Sequence, residues 1–96
     1  MFLNNVADKL VFKFLNKVNY GYLELTTYEG KVLKFGNSNE KLHANILIKK
    51  PDFNYNLIRG GSIGFAESYM KGEFETDNLS NLIELTARNI EVIYKF

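Results

Sequence analysis

The chain is expected to fold as α+β, with a small, mostly antiparallel sheet packed by an N-terminal and a C-terminal helix. Three observations carry that expectation. Apolar residues recur at helical spacing from Leu3 to Val18, alternate at strand spacing between Leu23 and Lys49, and return to helical spacing after Asp77. The resulting order of helix, strands, short helices, short strand and helix lacks the regular alternation that a doubly wound parallel sheet needs.

In the first element Leu3, Val6, Ala7, Leu10, Val11, Phe14 and Val18 fall on one wide face at about 100° per residue, the amphipathic-helix pattern. Asn4 or Asn5 can cap it. Residues 23–28 alternate and are rich in β-formers, Glu29-Gly30 suits a tight turn, and residues 31–35 complete a hairpin. After a polar loop at 36–41, residues 42–49 place Leu42, Ala44, Ile46 and Ile48 on one face of a half-buried strand.

Pro51 ends that strand, and Asp52 is a good N-cap for a short helix over 53–59. Gly60-Gly61 ends this helix where a positive φ is needed, a second short helix follows over 63–70, and Gly72 closes it. Glu73-Phe74-Glu75 is a short extended piece. Asp77 or Asn78 caps a final helix in which Leu79, Leu82, Ile83, Thr86, Ile90 and Ile93 share one stripe.

With 96 residues there is room for one domain and one core, so residues 1–96 are read as a single non-catalytic unit. Twelve Lys and Arg against eleven Asp and Glu give a net charge of +1, whereas a domain that grips a phosphate backbone carries a clear basic excess. A nucleic-acid partner is therefore not expected. With no cysteine and one histidine there is no thiolate chemistry, no Cys-ligated zinc and no His pair, so no metal is expected either. Asp8, Lys9, Lys13 and Lys17 interrupt the N-terminal apolar residues, which argues against a signal peptide or membrane span and for a cytoplasmic location.

Gly60-Gly61-Ser62-Ile63-Gly64 is the stretch closest to a phosphate-binding loop. Arg59 stands where a dinucleotide fingerprint needs its first glycine and no Gly-Lys-Ser/Thr follows, so the run is read as a helix-to-helix turn. His43 is read as an ordinary sheet residue, because no serine or carboxylate lies beside it in sequence. Glu67 is either a functional carboxylate or a group that tethers a turn.

Lys9, Lys13 and Lys17 recur every four residues along one edge of the first helix, with Phe12 on the opposite side. Two readings of this helix stand. It can lie on an anionic bilayer, where each lysine near the surface contributes about 1 kcal/mol, or it can face the core while its lysines reach into water.

The stretch 44–53, Ala-Asn-Ile-Leu-Ile-Lys-Lys-Pro-Asp-Phe, is followed at 61–72 by Gly-Ser-Ile-Gly-Phe-Ala-Glu-Ser-Tyr-Met-Lys-Gly. Together they closely resemble the N-terminal domain of bacterial cyclopropane-fatty-acyl-phospholipid synthases, and the preceding hairpin and following helix match that family's layout. The motif positions are Gly61, Gly64, Glu67, Tyr69 and Gly72. Lys71 departs from the family's usual Asp and Ala66 from its frequent Gly, while Phe74 alone remains of a common aromatic pair.

The resemblance implies a sterol-carrier-protein-like fold with an apolar tunnel, and a full enzyme that transfers a methylene unit to an unsaturated phospholipid acyl chain. In that family S-adenosylmethionine and bicarbonate serve a separate methyltransferase domain, which is not found within these 96 residues. This chain is then expected to hold no cofactor and to carry no catalysis of its own. Its expected partners are a methyltransferase catalytic domain, in cis or in trans, and an anionic phospholipid surface, reached by the Lys9, Lys13 and Lys17 edge at the inner face of the membrane. A free-standing lipid carrier and an oligomerisation module are the alternatives.

Overall fold

In α1 (Val6–Leu15) the helical period turns Val11 fully into the core and brings Phe12 edge-on to Phe35, with ring centroids 5.8 Å apart. The computed structural model describes residues 6–91, so Leu3, the capping Asn4 or Asn5, and Ile93 lie outside the described residues. Phe12 thus packs against the core, on the side of the helix away from the lysines.

The alternating segment forms β1 (Tyr22–Thr26) and β2 (Val32–Gly36) in an antiparallel hairpin, with Leu23 opposite Phe35 and Leu25 opposite Leu33. Its turn is built around Thr27, which is buried and accepts the Lys31 N–H on its hydroxyl at 3.0 Å. β3 (His43–Ile48) lies on the other side of β1 and runs parallel to it. Because β2 ends and β3 begins at the Tyr22 end of β1, the short loop between them crosses that end. Two backbone bonds hold the crossing, Asn37 N–H to Gly21 O at 3.1 Å and Tyr22 N–H to Leu42 O at 2.9 Å.

A last strand, β4 (Phe74–Glu75), pairs antiparallel with β3 and completes the order β2-β1-β3-β4. The fold is therefore α+β, with two antiparallel pairings and one parallel.

The two short helices expected between β3 and β4 form one kinked helix, α2 (Phe53–Met70), broken at Gly61 with φ 56° and ψ −133°. Asp52 occupies the N-cap position without a side-chain capping bond. Its backbone is already helical, at φ −85° and ψ −1°, whereas a capping side chain needs an extended residue to reach back to the first turn. In α3 (Leu79–Arg88) the cap does form, as Asn78 accepts the Asn81 N–H at 3.0 Å.

The stripe expected on α3 is corrected by the structure. Leu82, Leu85 and, beyond the last turn, Asn89 are buried, whereas Ile83, Thr86 and Ile90 are exposed. Rotation of the helix follows from Asn89, which is 0% exposed and makes four hydrogen bonds. Its Oδ1 accepts the N–H groups of Asn19 and Tyr20, and its Nδ2 donates to Tyr20 O and Leu85 O. It fastens the end of α3 to the segment that leads into β1.

The core lies on one side of the sheet, where Leu23, Leu25, Phe35, Ala44, Ile46, Ile48 and Phe74 meet Val11, Phe53, Leu82 and Leu85. On the opposite side Glu24, Thr26, Asn45 and Leu47 are half-exposed and Tyr22 alone of β1 and β3 is buried. α1 reaches β2 through Phe12 and Phe35, and α2 reaches β4 through Phe53, Phe65 and Tyr69 around Phe74. The two helices also meet each other, where Asn54 of α2 donates to Asp8 of α1.

Candidate functional site

Lys9 and Lys13 are exposed on α1, on the face that also carries Val6, which is 72% exposed. Lys17 sits past the helix end, in a turn closed by its own N–H to Phe14 O, and is half-buried. The structure thus brings two of the three expected cations together with an apolar neighbour. On the inner face of the same helix Asp8 is buried and accepts the Asn54 amide at 2.9 Å. Asn54 Oδ1 is buried without a hydrogen-bond partner, a cost of about 1–3 kcal/mol at the junction of α1 and α2.

The motif residues cluster at the bend of α2 and its exit, where most of them shape backbone. Gly61 supplies the positive φ of the kink. Gly64 is buried where a Cβ would stand 2.5 Å from Asn56 O, so the two arms of α2 can close only on a glycine. Gly72, with φ 71°, turns the chain toward β4. Tyr69 packs on Phe74 with centroids 5.6 Å apart and stays 43% exposed, while Glu67 points to solvent.

Sequence reasoning missed the carboxylate that organises this corner. Glu73 accepts the Ser68 hydroxyl at 2.6 Å and the Asn56 amide at 3.1 and 3.2 Å on its two oxygens. Those bonds, Ser68 first and Asn56 second, favour the ionised form and hold the carboxyl below the ordinary glutamate range, with Lys71 and Lys50 adding attraction. Its backbone carbonyl also takes the N–H groups of Lys49 and Lys50, and its own N–H goes to Ser68 O. Ser68 is buried, so this pair is a lock between the second arm of α2 and β4 rather than a nucleophile with its base. Its sequence signal is a serine five residues before a glutamate that follows a turn glycine.

Beside this lock an open groove of about 570 Å³ runs along the β4 edge. Leu47, Tyr69, Met70 and Phe74 supply its apolar wall, and Glu75 and Asp77 its charges. Asn45 shapes the far end, since its Oδ1 accepts the Asp77 N–H at 2.8 Å and the Thr76 hydroxyl at 3.1 Å.

His43 is exposed on β3, 3.1 Å from Ser38 O through Nε2, with its ring 5.0 Å from that of Tyr22. Burial raises the Tyr22 phenol above its ordinary pKa, and its hydrogen bond to Glu24 adds to the shift. Among the described residues no group of three or more His, Cys, Asp or Glu side chains is placed to hold a metal ion. No helix among them is long and apolar enough to cross a membrane. No family model, no curated protein and no solved structure matches the chain.

Proposed function

We propose that this chain is a non-catalytic docking domain of a cyclopropane-synthase-type methyltransferase, and that it holds its catalytic partner at an anionic phospholipid surface. The observation that carries the reading is the shared exposure of Lys9, Lys13 and Val6 on one face of α1. Cations beside an apolar side chain suit the boundary between headgroups and acyl chains, where charge attraction and burial act together. The motif geometry is compatible with this reading, because Gly61, Gly64 and Gly72 serve the bend of α2 and the turn toward β4.

The chemistry that S-adenosylmethionine and bicarbonate supply belongs to the partner. Incubated with labelled S-adenosylmethionine and unsaturated phospholipid, this chain alone transfers no label. Flotation with anionic vesicles tests the membrane role. The chain is expected to float with anionic but not with neutral vesicles, and Lys9→Glu/Lys13→Glu to abolish flotation. Equal flotation of the variant would remove the lysine edge from the contact.

A further inference from the structure

We infer that the lipid-facing surface continues from α1 onto the first arm of α2, where Tyr55 and Arg59 seat against an anionic phospholipid bilayer; this rests on the membrane reading of α1. The bond from Asn54 to Asp8 brings the two helices into contact, and Val11 of α1 and Phe53 of α2 enter the same core on one side of the sheet. At about 100° per residue, the direction opposite Val11 is that of Lys9 and Lys13, and the direction opposite the buried Phe53 and Asn54 is that of Tyr55 and Arg59. All four side chains are exposed, Tyr55 by 57%. The two helices therefore turn these residues away from the sheet together.

Charge and side-chain type select the occupant. Among the described residues no exposed acidic side chain lies on α1 or within residues 53–60, and none of Lys9, Lys13 and Arg59 makes an ion pair. The acidic groups that border the arm have lysines with them. Asp52 follows shortly after the exposed Lys50, and Glu73, bonded to Ser68 and Asn56, is attracted by Lys71 and Lys50. The surface thus keeps the positive excess of Lys9, Lys13 and Arg59. An arginine presents a fork of donors to phosphate oxygens, and a tyrosine sets an apolar ring and a polar tip at the boundary between headgroups and acyl chains. Val6, exposed beside the lysines, adds apolar surface at the same level.

The chain has no tryptophan, so Tyr55→Trp places a single fluorescent reporter at the proposed contact. Val32→Trp is the control, since Val32 is 49% exposed and strand alternation from core-facing Phe35 puts it on the opposite face of the sheet. With vesicles of phosphatidylcholine and phosphatidylglycerol, the emission of Tyr55→Trp is expected to move to the blue and that of Val32→Trp to stay. Arg59→Gln should weaken vesicle binding about fivefold, the share of one basic residue at the surface, and Arg59→Glu should weaken it further. An unmoved Tyr55→Trp emission, or native affinity in Arg59→Glu, while Lys9→Glu/Lys13→Glu still abolishes flotation, would overturn this inference and leave the α1 contact standing. A blue shift with full flotation of Lys9→Glu/Lys13→Glu would support the α2 contact and remove the lysine edge. Failure of the native chain to float would overturn both. An equal blue shift with soluble polyglutamate would assign the face to an acidic polypeptide and overturn the inference as well.

Discussion

At Gly64 the available space decides what a single methyl group does. The built Cβ meets a backbone oxygen, Asn56 O, which cannot swing aside as a flexible side chain would. Gly64→Ala is therefore expected to destabilise the fold by about 1–3 kcal/mol, read as a lower urea midpoint with an unchanged slope. Glu73 is the second sensitive residue. Its pKa is depressed in the folded state, so the stability it contributes is present above the unfolded value and is lost as pH falls through the folded one. Stability of the native chain should fall as pH drops through and below the ordinary glutamate range, and Glu73→Gln should be less stable at neutral pH and flatter across that range. Identical acid profiles for the two proteins would rule out the lock. Neither residue's role is written in its type: Gly64 needs a neighbour two turns earlier, and Glu73 needs Ser68 and Asn56 folded onto it.

The elements themselves were legible in the chain. Strand alternation in β1 and β3, the Glu29-Gly30 turn, the break at Gly61 and the Asn78 cap follow from local rules that act within a few residues. What local rules miss is rotation and pairing. The parallel contact of β1 with β3 depends on a loop that crosses the end of β1, and no periodicity encodes it. α3 shows the same gap, since Ile83 and Ile90 suggested one face while Leu85 and Asn89 define another. Asn89 prevails because burying a polar group is cheap when every bond is met, and here one amide satisfies four backbone groups. Asn89→Ala should cost about 2–4 kcal/mol, from orphaned backbone groups of Asn19 and Tyr20, and amide exchange should speed up there first. A loss below about 0.5 kcal/mol would mean that this tether is dispensable.

For the whole molecule, the near-neutral net charge reflects charges of both signs set side by side. Exposed Lys9 and Lys13 lie on α1, which is tied to α2 by the bond from Asn54 to Asp8, while at β4 Lys49 stands 3.9 Å from Glu75. A lysine edge of this kind acts on a charged surface only within the screening length, about 8 Å at physiological salt. Flotation with anionic vesicles should therefore weaken as salt rises toward about 1 M, where the screening length contracts to about 3 Å. Flotation that is unchanged at high salt would mean that burial of the exposed Val6, rather than attraction by Lys9 and Lys13, carries the contact, because burial of apolar surface is not screened by salt.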